Sequence, residues 1–281
     1  MLIDCHVHTA AGISPGENIL KQLDAAGVEK MILLSHHPSS FNPPENRQNK
    51  NWNKAPEPRD ALKALMEWAA FSKRIIPFFW IDPLDGDAFD QVDRAIAAGV
   101  AGFKVICNRF FPCDPRPMQV WERIAKAGKP ILFHSGILYT PVPASIYNRP
   151  AGFEPLFGIP GLRFAMAHVS WPWCDEMLAV YGYWSYLKRQ GITTAELFID
   201  TTPGTPRIYR REVFSKIYTI GYDVEDNVIF GTDNYSDYNP DAVKRILEMD
   251  KDALDNAGVT PEQREKYYSK NVIRFLGADA D

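Results

Sequence analysis

The sequence predicts an α/β fold: a single TIM-type (β/α)8 barrel over residues 1–281, with its chemistry at the C-terminal ends of the strands. Three observations lead there. A local plan recurs along the chain, in which an amphipathic stretch ends at a glycine and a compact apolar run follows after a short gap. The apolar runs number eight, and helical patterns fill most of the gaps between them. The histidines gather at one end of those runs.

The first run, residues 2–7, opens the chain. In the first helix, Ser14-Pro15-Gly16-Glu17 has the form of a capping box with proline at the first helical position. Ile19, Leu20, Leu23 and Ala26 then share a face. Ala26-Gly27 precedes the second run, 30–35, and Leu62, Leu65, Met66 and Ala69 repeat the helical pattern before the third, 75–81. Ala98-Gly99 precedes the fourth, 103–106. A helix marked by Val120, Trp121 and Ile124 ends at Ala127-Gly128, before the fifth run at 131–133. The sixth is 163–167, Gln190-Gly191 precedes the seventh at 197–201, and Ile220-Gly221 precedes the eighth at 228–230. Each glycine stands where a helix C-terminus needs a left-handed residue. Apolar runs without alternation suit strands buried on both faces of a parallel sheet. The Pro-rich stretch 136–161 breaks the rhythm, and only a brief turn at 153–157 is expected there.

With 281 residues, 46% of them hydrophobic, the chain can bury one large core, and no composition break marks a second domain. A net charge of −4 and a pI near 5.9 argue against nucleic acid or an anionic membrane as partner. Cys5, Cys107, Cys113 and Cys174 form no CxxC pair and read as reduced thiols. Met1 leads straight into Leu2-Ile3-Asp4 without a signal-peptide pattern, and the longest apolar run, 75–81, is too short to span a bilayer. The expected location is the cytoplasm. Exposed helices leave room for a homo-oligomer.

All six histidines lie at or just past the ends of predicted strands. His6 and His8 end the first, His36 and His37 the second, His134 the fifth and His168 the sixth, while Asp233 follows the eighth. The C-terminal strand ends of a barrel form the rim where chemistry is carried out. Two apart on a strand, His6 and His8 share a face and can reach one ion. A lone His-x-His is common on surfaces; His134, His168 and Asp233 at equivalent strand ends turn the balance to a metal site. Imidazoles with one carboxylate suit zinc, with manganese, iron or nickel as alternatives, better than magnesium or calcium.

The motifs along the chain resemble the amidohydrolase superfamily, in particular its amidohydrolase-2 branch, which includes the aminocarboxymuconate-semialdehyde decarboxylase type. They are Asp4-Cys5-His6-Val7-His8, Gly102-Phe103-Lys104, Phe133-His134-Ser135-Gly136, the stretch Ala167-His168-Val169-Ser170-Trp171-Pro172-Trp173-Cys174-Asp175-Glu176, and Gly231-Thr232-Asp233. The tail from Tyr268 to Gly277 resembles that branch's closing helix. The resemblance implies one divalent metal ion, zinc first with manganese or iron as alternatives, held by His6, His8, His134 and Asp233. His168 is implied as a neighbouring acid/base or carbonyl polariser, or as a ligand to a second ion.

Lys104 lies where two-metal relatives carry a bridging carboxylated lysine, but its place early in the strand, followed by Val105-Ile106, favours burial in an ion pair and a single metal. The long segment 38–58 reads as a lid or a solvated flap, bringing His37, Arg47 or Lys50 to a substrate in the first case. Arg149 and Arg207 are candidate carboxylate clamps. Trp171 and Trp173 are candidate pocket walls or core. Asp4, on the same expected face as His6 and His8, is a candidate to orient a ligand. No Gly-rich phosphate loop or nucleophile elbow is present.

The resulting expectation is hydrolysis of an amide, ester or lactone bond in a small anionic metabolite, with Asp233 moving the proton of a metal-activated water. The alternative keeps the site and makes the protein a nonoxidative decarboxylase of an unsaturated or aromatic acid. A catalytically inactive binding protein on the same barrel comes third.

Overall fold

In the computed structural model, which describes residues 1–41, 56–140 and 143–277, every one of the eight expected runs forms a strand. They are β1 (Ile3–His8), β2 (Lys30–Leu34), β3 (Ile75–Trp80), β4 (Gly102–Val105), β5 (Ile131–Phe133), β6 (Arg163–Met166), β7 (Glu196–Asp200) and β8 (Val228–Ile229). All lie side by side in chain order, and each pairs in parallel with the next. The helices α1 (Glu17–Ala26), α2 (Pro58–Phe71), α3 (Ala88–Ala98), α4 (Pro115–Lys126), α5 (Cys174–Arg189) and α6 (Arg207–Thr219) alternate with them. The sheet is curled and of the TIM-barrel type. None of the helices among the described residues is long and apolar enough to cross a membrane.

A ninth strand was not in the sequence count. β9 (Asn234–Tyr235) pairs in parallel with β1, Val7 opposite Asn234 and His8 opposite Tyr235. Below it, the Cys5 N–H donates to the Phe230 carbonyl and the Asp233 N–H to the His6 carbonyl, both at 3.0 Å. The chain leaving β8 therefore runs on beside β1, so residues 230–235 connect the two edges of the sheet. The Gly231-Thr232-Asp233 stretch carries no apolar signal that would reveal this.

The helix stops follow the glycine pattern. At Gly27 (φ 72°) the N–H of Gly27 donates to Asp24 and that of Val28 to Leu23, which satisfies two end carbonyls and turns the chain towards β2. The start of α1 differs from expectation. Gly16 occupies the cap position and has no side chain to bond the first-turn N–H groups, so Ser14 makes no capping box. That device occurs instead at Thr260 and Gln263, where α8 (Pro261–Glu265) begins. The described part of the stretch 136–161 holds more regular structure than its prolines suggest. Two 3-10 turns, Ser145–Asn148 and Pro150–Gly158, bury Phe153, Leu156 and Phe157.

Two apolar layers fix the sheet. Val7, Leu33, Phe79, Phe103, Phe133 and their neighbours face the helices. Ile3, Cys5, Ile32, Leu34, Phe78, Leu132, Ala165, Phe198 and Ile229 form an inner cluster with Val272, Phe275 and Leu276 of α9 (Asn271–Leu276). The last helix is held there by Arg163 Nε on the Phe275 carbonyl (2.9 Å) and by Asn271 Nδ2 on the Val228 carbonyl (2.8 Å). With apolar groups filling that region, the buried polar side chains His6, Lys104, His134, His168 and Asp200 gather elsewhere, at or near the C-terminal ends of their strands.

Candidate metal centre

Strict alternation along β1 would place Asp4, His6 and His8 on one face. The register of β1 against β2 shifts between Asp4 and Val7, and the irregularity breaks that alternation. Cys5 packs into the inner cluster with Ile3, whereas Val7 packs among the helices. Asp4 is turned towards the chain after β8. Its Oδ1 accepts the N–H groups of His6 (3.2 Å) and Thr232 (3.0 Å), and its Oδ2 accepts the hydroxyls of Thr232 (2.5 Å) and Tyr238 (2.8 Å). Burial lifts this carboxyl to about 6 even though all these hydrogen bonds pull it down. Asp4 thus touches no imidazole; it ties the backbone of His6 to the residue before Asp233.

His6, His8 and Asp233 converge. His6 Nε2 lies 3.2 Å from His8 Nε2 and 3.6 Å from Asp233 Oδ1, and His8 Nε2 lies 3.2 Å from that oxygen. Two donors bound at about 2.0–2.1 Å to a tetrahedral zinc-sized ion stand about 3.3 Å apart, so the three atoms fit one ion. Asp233 reaches the group from a left-handed backbone (φ 57°). Burial would raise its carboxyl, but the bond to His8 and the nearby His6 and His168 hold it well below the usual carboxylate range.

Asp200, at the end of β7, sets the state of His6. The His6 Nδ1–H donates to Asp200 Oδ2 at 2.8 Å, which leaves Nε2 with its lone pair facing His8 and Asp233. The other oxygen of Asp200 accepts the Thr202 N–H (2.7 Å) and the Thr202 hydroxyl. Burial pushes the His6 pKa down to about 3, helped by the Lys104 charge, so the ring stays neutral. Arg210 Nη1 bonds the Thr201 carbonyl (2.9 Å) and its Nε bonds Asp250 (2.5 Å), anchoring the residue next to Asp200 to α6 and to α7 (Pro240–Asn256).

His134 and His168 stand beside this trio, their ring centroids 4.8 Å apart and His168 5.3 Å from His6. Neither belongs to the group whose donors all lie within 4.8 Å of one another. Each gives one ring N–H to a backbone carbonyl, His134 Nε2 to Ile137 and His168 Nδ1 to Pro203, both at 3.2 Å. His134 Nδ1 and His168 Nε2 are left as acceptors. Burial lowers both pKa values, that of His134 strongly. Lys104 is fully buried, with Nζ 3.3 Å from His6 Nε2. Burial brings it down to about 8, against the pull of Asp200 and Asp233.

These groups open into a cavity of about 1080 Å³. His37 and Trp171 line it, together with Trp80, Phe41 and Tyr235. His8 sits between Trp80 and Tyr235, its ring 5.7 and 5.8 Å from theirs. The two expected clamps are elsewhere. Arg149 pairs with Glu176 and lies 4.8 Å over the Trp173 ring, and Arg207 is exposed at the start of α6; neither lines the cavity. Arg47 and Lys50 lie outside the described residues. Among the residues not singled out from sequence, Asp200 matters most. An acid closing an apolar strand is the available signal, masked by the apolar residues that precede it.

A profile of the family described as Amidohydrolase matches residues 3–278. The search of curated proteins finds no match. Among solved structures, a 2,6-dihydroxybenzoate decarboxylase from Rhizobium is 18% identical, covers 99% of both chains and superposes with a TM-score of 0.62. A protein described as a probable 2-pyrone-4,6-dicarboxylic acid hydrolase from Acinetobacter baumannii is 12% identical, with 98% of this chain and 99% of that one covered and a TM-score of 0.61. Amidohydrolase 2 from Bifidobacterium longum subsp. infantis is 13% identical over 98% of each chain, with a TM-score of 0.57.

Proposed function

The chain belongs to the amidohydrolase family, and on that premise we propose that it is a metal-dependent hydrolase cleaving an amide, ester or lactone bond of a small metabolite. The observation that carries this reading is the spacing of His6 Nε2, His8 Nε2 and Asp233 Oδ1 at 3.2–3.6 Å. In this reading residues 230–235 close the sheet as an eight-fold barrel, and the three donors hold one divalent ion on its C-terminal rim. His134 Nδ1, outside that trio, would supply a fourth ligand by moving towards it; zinc comes first, with manganese or iron as alternatives. A cytoplasmic location and a small-molecule substrate belong to the same proposal.

A bound ion supplies Lewis acidity and a water acidic enough to ionise near neutral pH. Asp233, held as a carboxylate, takes the proton from the attacking water on its free oxygen and returns it to the leaving group. His168, with Nδ1 committed to Pro203, offers Nε2 to the cavity as a hydrogen-bond acceptor that orients the water. Asp200 keeps His6 in the tautomer that can bind an ion. Trp80 and Tyr235 exclude water from the flanks of the substrate.

The aromatic lining favours a second reading, nonoxidative decarboxylation of an unsaturated or aromatic acid. One experiment separates the two. Wild-type and Asp233→Asn protein are loaded with zinc or manganese and assayed on a panel of esters, lactones and amides, and on aromatic acids for carbon dioxide release. Hydrolysis lost at least 1000-fold in the variant supports the proposal; carbon dioxide release without hydrolysis replaces it with the second reading.

A further inference from the structure

Among the described residues, four non-glycine residues have a left-handed backbone, and three of them are consecutive: His168 (φ 61°), Val169 (φ 49°) and Ser170 (φ 56°). L side chains disfavour this region, so a run of three persists only where surrounding contacts over-determine it. Those contacts come from the loop after β5. The Ser135 hydroxyl donates to the Ala167 carbonyl at 2.6 Å and lies 2.8 Å from the Ser170 hydroxyl, which donates to it. Both serines are fully buried. Next along, the Ile137 N–H donates to the Trp171 carbonyl at 2.7 Å. Gly136 lies so close that a Cβ there would overlap that carbonyl. The loop carrying His134 is thereby clasped to the loop carrying His168. On its other side, His168 is bounded by the Pro203 carbonyl and by Gly204, where an added Cβ would come within 2.8 Å of the His168 Cβ.

We infer that Ser135 and Ser170 are positioning residues for His168: their paired hydroxyls hold the ring with Nδ1–H on Pro203 and Nε2 turned to the cavity. The functional consequence rests on the acceptor role proposed above for His168, whereas the geometry does not. Neither serine touches the reacting groups. Each acts through the strained segment, and removing either hydroxyl releases the same constraint.

The test reads the histidine tautomers directly. Long-range proton–nitrogen correlation spectra of the six histidine side chains are recorded on metal-free and zinc-loaded protein, with His168 assigned by a His168→Gln variant. The wild type should show a single neutral His168 tautomer protonated at Nδ1. Ser170→Gly deletes a hydroxyl while glycine accepts the left-handed backbone without strain, and it should melt no lower than the wild type. In Ser170→Gly and in Ser135→Ala, the His168 signals should become an average of two tautomers while those of His6 stay in place. The double variant should look like either single one. A wild-type His168 protonated at Nε2, or a pure Nδ1 tautomer kept in Ser170→Gly, overturns the inference. The second outcome decides even if Ser135→Ala fails to fold. Because no substrate is involved, failure of the hydrolase reading would leave this result untouched.

Discussion

The sharpest consequence of the site concerns Asp200, which does not line the cavity and yet should control ion affinity. Asp200→Asn keeps the volume and the oxygen that serves Thr202, but it places an NH2 group where Oδ2 accepts the His6 Nδ1–H at 2.8 Å. Two donors then face each other. His6 relieves the clash by moving its proton to Nε2, the atom that points at His8 and Asp233, and the lone pair proposed to bind the ion is lost. A hydrogen bond to a charged group contributes roughly 1.5–3 kcal/mol, or roughly 10- to 150-fold in an equilibrium constant. That agrees with the roughly 10- to 100-fold losses seen when the partner of a metal-bound histidine is removed. Zinc affinity measured by competition with a chromophoric chelator should therefore fall by about 10- to 100-fold, with the circular dichroism spectrum unchanged. Affinity within about twofold of wild type in a folded Asp200→Asn variant would refute the tautomer argument.

Other perturbations follow from the same geometry. Lys104, buried and lowered to about 8, binds a proton less readily in the folded protein than in the unfolded chain, where its value is near 10.5. Its cost to stability is therefore fully present below pH 8 and is relieved as pH rises towards 10.5. At 1.36 kcal/mol per pKa unit, metal-free wild type should gain up to about 3 kcal/mol on a Lys104→Met variant across that window in urea unfolding; parallel curves would contradict this. Phe275 joins α9 to the inner cluster through Phe78 and Phe198, so Phe275→Ala should cost about 3–5 kcal/mol in urea unfolding, and a loss under 1 kcal/mol would show that the cluster does not hold the helix. Arg149→Ala, outside the cavity, should leave zinc affinity and KM within twofold of wild type in chelator competition and steady-state kinetics.

The strands were legible because a parallel sheet covered on both faces needs unbroken apolar runs, and most of the runs end at or just before a polar residue. For the same reason His6, His8, His134, His168 and Asp233 could be picked out: each stands at or just past a strand end, so its place was read locally. What escaped depends on contacts distant in sequence or on a change of register. Asp200 acquires its meaning from His6, 194 residues away. Asp4 left the expected face because of the irregularity in β1, which no residue pattern announces. Arg149 was drawn from the site by Glu176, an exposed pairing that sequence reading had no means to prefer over a substrate carboxylate. β9 is made by two residues whose only structural signal is their partner strand.

The metal site proposed for this protein is one divalent ion held by His6, His8 and Asp233. Its most direct test is elemental analysis of tag-free wild-type protein and of the His6→Ala and Asp233→Ala variants, each incubated with zinc, manganese or iron and then gel-filtered. About one equivalent per chain is expected in the wild type and essentially none in either folded variant. An empty wild type after all three incubations, or full retention in both variants, would contradict it.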